Sequence, residues 1–227
     1  MDPVAEQFLL QLDQATDVLP TSVHAGLVMC GSDAAPGLVA RLRDADRALP
    51  TRVFSALVLA DLKIPEGWAA MVDVIAGGAV VMLPSLGRLL SAGGEGAAEA
   101  AMTRAEDPTL LAEIRLVLAG LAVRAAGPAW AAGRVSKVAI ASFEEAPAPA
   151  LQLMRIAPHP SYGEVLRAHP ERLRADPESA LEVLLAEAPD AEAAALVRAL
   201  SMGLESAMDG VLETLASAGL STGPDDV

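Results

Sequence analysis

Apolar positions along the chain recur mainly at three- and four-residue spacing, broken at short intervals by Pro, Gly or acidic pairs. Period-two runs of β-branched and aromatic residues are missing, so the pattern predicts helix almost throughout. Val4, Phe8, Leu12 and Ala15 make one stripe, with Leu9 and Leu19 beside it, which predicts a first helix from Pro3 to Leu19. A second helix, capped by Thr21 or Ser22, runs to Cys30. A third covers Pro36 to Asp44, a fourth Thr51 to Leu62, and Pro65 opens a fifth. Around the breakers Gly77, Gly78 and Pro84 apolar residues are too dense for one helix face, which predicts a central, buried region. A short strand over Ala79 to Leu83 is the alternative there.

Gly93 to Gly96 reads as a loop before a small-residue helix over Ala97 to Ala105. The strongest pattern spans Pro108 to Ala126, with Leu111, Ile114, Leu118 and Leu121 on one face. Another helix is expected over Ala129 to Glu145. Pro147 and Pro149 then interrupt, before a short helix from Leu151 to Ala157. Pro158-His159-Pro160 is a stiff bend, short turns fill Tyr162 to Ala175, and helices over Pro177 to Ala188 and Ala191 to Ala218 finish the chain. Three Asp-Pro pairs, at Asp2, Asp107 and Asp176, read as helix caps followed by proline in the first turn. The expected organisation is one all-helical domain over 1–218 and a flexible tail over 219–227.

Helices of this length joined by short turns suggest antiparallel hairpins. Proline-led starts at 3, 36, 108, 147 and 177 scatter around multiples of a unit of roughly 35 residues, within the range of helical repeats. The best unit reads Leu38-Val39-Ala40-Arg41-Leu42, then Asp44 and Asp46, then Arg52-Val53, Ala56-Leu57 and Ala60-Asp61-Leu62. It resembles a HEAT-type repeat: an apolar first helix, an acidic turn, and a second helix with a Val-Arg pair, here reversed, and an Ala-Leu pair. Leu181 to Leu200 offers a second copy, with Leu184-Leu185, Pro189-Asp190, Val197-Arg198 and Ala199-Leu200, and Leu86 to Leu121 a degenerate third. The resemblance covers under half the chain. It implies a short α-solenoid of stacked hairpins, in which neighbours bury what one hairpin cannot. A compact orthogonal bundle is the alternative fold.

Composition narrows the function. Of 227 residues, 30 are acidic and 16 basic, for a net charge of -14. Lys63 and Lys137 are the only lysines and aromatics make up 3%, so neither phosphate neutralisation nor base stacking is well served, and no nucleic-acid partner is expected. Cys30 is the only cysteine, which excludes a disulfide scaffold. The longest stretches free of charge, Val18 to Ser32 and Val74 to Gly87, fall short of the roughly 20 residues a membrane span needs. Without a basic leader, a cytoplasmic location is expected, and the preference for Arg over Lys with much Ala fits a GC-rich bacterial genome. The charge is also uneven. Residues 1–20 carry four acids and no base, residues 176–227 carry eleven acids and Arg198, and the stretch between carries equal numbers.

Catalytic patterns fail on context. Gly219-Leu220-Ser221-Thr222-Gly223 spells a nucleophile elbow, but no acid-histidine pair follows it. Gly93 to Gly96 lacks the Lys and Ser/Thr of a phosphate loop. His159, Glu164 and His169 stand five apart, a spacing that spreads them around a helix. Cys30 lies among Val28, Met29 and Gly31, as a small buried hydrophobe would. The expectation is therefore a non-enzymatic helical-repeat adaptor or scaffold that binds a protein partner, without metal or cofactor. Its candidate surfaces are the basic turn Arg41, Arg43, Arg47 and Arg52, and the acidic end with Glu178, Glu182, Glu187 and Glu192, which would suit a basic partner. The alternative is a small-molecule-binding bundle or motif-poor enzyme with a pocket near residues 68–90, lined by Trp68, Met71, Met82 and Trp130.

Overall fold

The computed structural model describes residues 2–79 and 82–187. These form twelve α-helices and two short 3-10 turns, with no strand among the described residues. The chain divides into two compact units, one ending at Gly127 and one beginning at Pro128.

The first unit holds α1 (Pro3–Asp13), α2 (Thr21–Cys30), α3 (Ala35–Arg43), α4 (Leu49–Leu62), α5 (Pro65–Ala76), α6 (Leu83–Ala92), α7 (Gly94–Ala105) and α8 (Ala112–Ala126). Consecutive helices pair as α1·α2, α3·α4, α5·α6 and α7·α8. Each helix also packs on the next but one: α1 on α3, α3 on α5 and α5 on α7 in one row, α2 on α4, α4 on α6 and α6 on α8 in the other. Every substantial contact between described helices of this unit joins a pair to itself or to the adjacent pair. Gly127, at φ +89, ends α8 in a conformation that a side chain would resist.

Small residues set the tightest contact. Ala97, Ala98, Ala101 and Ala105 are all at most 1% exposed on α7, so backbones can approach closely where α7 meets α5 and α8. At the α6–α7 corner a Cβ on Gly93 would stand 2.5 Å from the Ala97 Cβ and 3.0 Å from the Trp68 ring, which only glycine permits.

The second unit holds α9 (Ala132–Ser142), α10 (Pro147–Ile156), α11 (Tyr162–Ala168) and α12 (Pro177–Glu187), with a 3-10 turn over Pro170–Ala175. α10 packs on α9 and α12, and α11 on α12. Phe143, Leu151, Met154, Tyr162, Leu166 and Leu181 fill the interior. A serine of this unit is buried with no hydrogen-bond partner among the described residues. The Ser142 hydroxyl makes no hydrogen bond and the residue is fully buried. An unmade buried hydrogen bond is a net cost, so Ser142→Ala is expected to raise stability by about 1 kcal/mol, read as a higher denaturation midpoint at unchanged slope.

Several expectations are corrected. α1 stops at Asp13 rather than Leu19, and its buried residues are Ala5, Leu9 and Leu12, with Val4 52% exposed. Thr21 and Ser22 do not cap α2, whose N-cap is Pro20. Gly94 to Gly96 are the first turn of α7, leaving Gly93 alone as the connection. α8 begins at Ala112, not Pro108, and Leu111 is exposed. The cause is Asp107. Its carboxylate accepts from the Thr109 amide at 2.9 Å and the Thr109 hydroxyl at 2.6 Å, closing a tight turn instead of capping a helix. Thr109, with Arg104 beside it, holds the Asp107 carboxyl below its ordinary range. Asp2 and Asp176 do cap α1 and α12, accepting from the Val4 and Ser179 amides. Pro147 and Pro149 start α10 rather than interrupting it, since first-turn amides need no intrahelical partner. α9 is shorter than expected at both ends, and α11 is a helix where turns were expected. No strand forms at Ala79, Met82 or Leu83, while residues 80 and 81, and the helix expected over 191–218 with the tail beyond it, lie outside the described residues.

Candidate functional site

The basic turn follows the C-terminus of α3, where apolar Leu38 and Leu42 fix the buried face and turn the arginines outward or sideways. Arg41 donates from two guanidinium nitrogens to Asp13, Nε to Oδ1 at 2.9 Å and a terminal nitrogen to Oδ2 at 2.8 Å. Its third nitrogen donates to the Gly37 carbonyl at 3.2 Å. Arg47 also meets Asp13, at 2.9 Å, and Asp44 at 3.4 Å. Arg43 reaches Asp73 on α5 at 2.6 Å. Arg52 donates through Nε to the Leu42 carbonyl at 3.1 Å, capping the end of α3. The turn is thus a cross-link: α1, α3 and α5 are tied through carboxylates of this same chain. Burial alone would raise the Asp13 pKa, but the Arg41 hydrogen bonds and the charges of Arg41 and Arg47 outweigh it and hold the carboxyl below its ordinary 3.8.

The acidic surface is placed in part. Glu178 and Glu182 are exposed on α12 and share Arg155 of α10, at 3.9 and 3.5 Å. Glu187 is the last residue of α12, and Glu192 lies outside the described residues. Of the proposed pocket residues, Trp68, Met71 and Met82 are buried in the first unit, and the Trp68 ring lies against Gly93 and Gly96 as packing. Trp130 belongs to the second unit and is half-buried before α9.

Each histidine has a partner. His24 Nε2 and Asp61 Oδ2 are 2.8 Å apart, joining α2 to α4. His159 Nδ1 lies 2.8 Å from the Ser161 hydroxyl, and His169 lies 3.8 Å from Glu171 with its ring edge-on to Phe143. Among the described residues no group of three His, Cys, Asp or Glu side chains could hold a metal ion, and no helix is long and apolar enough to cross a membrane.

Sequence reading missed Asp13 as the hub of the basic turn and missed Arg115 altogether. Arg115 donates through Nε to the Ala105 carbonyl at 3.2 Å, ten residues back, as Arg52 does to Leu42. Asp107 turns onto the Thr109 amide, as Asp44 turns onto the Asp46 amide. A signal for this existed. Arg41, Asp44, Arg52 and Ala56 recur as Arg104, Asp107, Arg115 and Ala119 at one constant offset. The expected unit Leu86 to Leu121 straddled this frame, because prolines do not mark it. Compared with protein-family models, curated proteins and solved structures, the chain matches none.

Proposed function

We propose that this protein is a non-enzymatic helical-repeat adaptor or scaffold, whose first unit is a short HEAT-like solenoid. The observation that carries the reading is the repeated hairpin. α3·α4 and α7·α8 share an aspartate turn, an arginine cap on the preceding helix, and buried positions in the same register: Ala35/Ala98, Leu38/Ala101, Leu42/Ala105, Ala56/Ala119 and Leu59/Ala122. Two rows of described helices whose substantial contacts run within pairs or between adjacent pairs support stacking, since a compact bundle would also join distant pairs. Such an array presents helix faces rather than an enclosed site, which suits a macromolecular partner. The paired histidines and the filled space around Trp68 fit the same reading.

The repeat makes a paired prediction. Arg52→Met and Arg115→Met keep the aliphatic stem and remove the donor that caps the helix before. Each is expected to cost about 1–2 kcal/mol, the worth of a partly exposed charge-assisted hydrogen bond, and the double variant the sum, because the sites share no partner. Chemical denaturation of the three variants measures this. The function itself is tested by affinity capture with the intact chain. A stoichiometric protein partner, lost on substitution of exposed helix-face residues, is the expected result. A chain recovered alone yet stabilised by a small metabolite would overturn the reading in favour of a pocket protein.

A further inference from the structure

Arg88 on α6 and Arg124 on α8 stand apart from the other described arginines. Both are exposed, and they are the two of that set that form no hydrogen bond or ion pair among the described residues. In a chain with nearly two acids per base, an arginine normally finds a carboxylate, as Arg41, Arg43, Arg47 and Arg104 do. Here the sequence withholds one. The helical neighbours of Arg88 at three and four residues are Pro84, Ser85, Ser91 and Ala92, and those before Arg124 are Gly120 and Leu121. They are small or apolar, so they neither neutralise nor cover the guanidinium groups.

The two arginines stand on helices that pack against each other. α6 and α8 are neighbours in the same row. Gly87, beside Arg88, approaches Leu121 so closely that a Cβ there would stand 3.2 Å from the leucine methyl. Arg88 is the residue after Gly87, and Arg124 stands about one turn after Leu121. Gly120, one turn before Arg124, leaves that part of α8 uncovered, for a Cβ added there would meet no other group within 4 Å.

We propose that the α6–α8 face is a docking site for an acidic segment of a protein partner, whose carboxylates pair with Arg88 and Arg124. This rests on the adaptor reading above and supplies its surface. Two planar guanidinium groups suit one or two carboxylates held bidentately. They do not suit a nucleic acid, which needs many phosphate contacts along its backbone.

The test uses the full chain and a labelled 14-residue helical peptide with Glu at i and i+4 and Leu at i+3 and i+7. Its Gln counterpart and a single-stranded 14-mer oligonucleotide serve as comparisons, all read by fluorescence anisotropy. The acidic peptide should bind, the Gln peptide at least fivefold more weakly, and Arg88→Gln/Arg124→Gln should lose tenfold while Lys63→Gln changes nothing. Dicarbonyl labelling of the unaltered protein, read by mass spectrometry, should show Arg88 and Arg124 protected by the acidic peptide, which keeps the test independent of how the variants fold. No peptide binding at millimolar concentration, equal binding of the Gln peptide, tighter binding of the oligonucleotide, or unprotected arginines would each overturn the site. If a captured protein partner stays bound to the double variant, the site falls and the adaptor reading stands. If the chain captures no protein at all, the adaptor reading falls with it.

Discussion

Ala101→Leu is expected to destabilise the protein by about 3 kcal/mol, the upper end of what overpacking a close-packed core costs. Ala101 is 1% exposed on the alanine face of α7, between α5 and α8. Three added carbons find no void there. The helices must separate, and Ala97, Ala98 and Ala105 would lose contact along with them. For a chain of this size the loss corresponds to a fall in Tm of roughly 6–12 °C. Thr103→Leu, on the exposed face of the same helix, should stay within about 0.5 kcal/mol. Thermal unfolding of the two variants side by side separates packing from helix propensity, since leucine favours helix at both positions. Equal effects would mean that α7 is not held by its alanines.

Asp13→Asn is expected to cost about 2–3 kcal/mol at neutral pH, because removing one member of a buried pair is costlier than the pair is worth when the other charge stays desolvated. It leaves Arg41, whose side chain is 13% exposed, with a neutral amide oxygen and the Gly37 carbonyl in place of a bidentate carboxylate, and takes one carboxylate from Arg47. The side chains keep some solvent, so the cost falls below that of full burial. The pH dependence follows from the lowered pKa of Asp13. The unfolded chain binds this proton at higher pH than the folded one. Stability from the ionised group is therefore fully present above the ordinary value of 3.8 and is lost as pH falls through the lower folded value. Denaturation of wild type and Asp13→Asn should differ by a constant amount above about pH 5 and converge below 3.8. A gap that persists at the acid end would show that the asparagine fails for steric reasons instead.

These two residues also mark how far the sequence could be read. Helix as the fold class, and most helix positions, followed from periodicity and from proline. Proline acts locally, by removing a donor and presetting a dihedral, so Pro65 and Pro177 open helices wherever the chain goes. Ends set by distant partners were illegible. α1 stops at Asp13, an acid at the unfavourable end of a helix dipole, where arginines from the α3 turn hold it. The buried stripe of α1 keeps Leu12 but takes Ala5 and Leu9 in place of Val4 and Phe8, because Val4 and Ala5 differ little in pattern and the facing helix chooses between them.

The basic turn shows the same limit for function. From sequence, four arginines within twelve positions look like a surface patch, and interleaved Asp44 and Asp46 look like their partners. The main partners are Asp13 and Asp73, 28 and 30 residues away. Whether a charge is spent inside the molecule or left for a partner depends on which carboxylate the fold brings within about 4 Å. Arg88 and Arg124, unremarkable in the sequence, are left over only after that pairing is done.

What the sequence alone determined is therefore the helical class, the exclusion of a disulfide scaffold by a single cysteine, and the uneven distribution of charge, since each depends on composition or on neighbours within four positions. The tertiary structure decided which helices pack together, the division at Gly127 and the arginines that remain free among the described residues. Those depend on which helix faces meet, and in a chain built so largely of alanine and leucine many faces are nearly equivalent until packing selects among them.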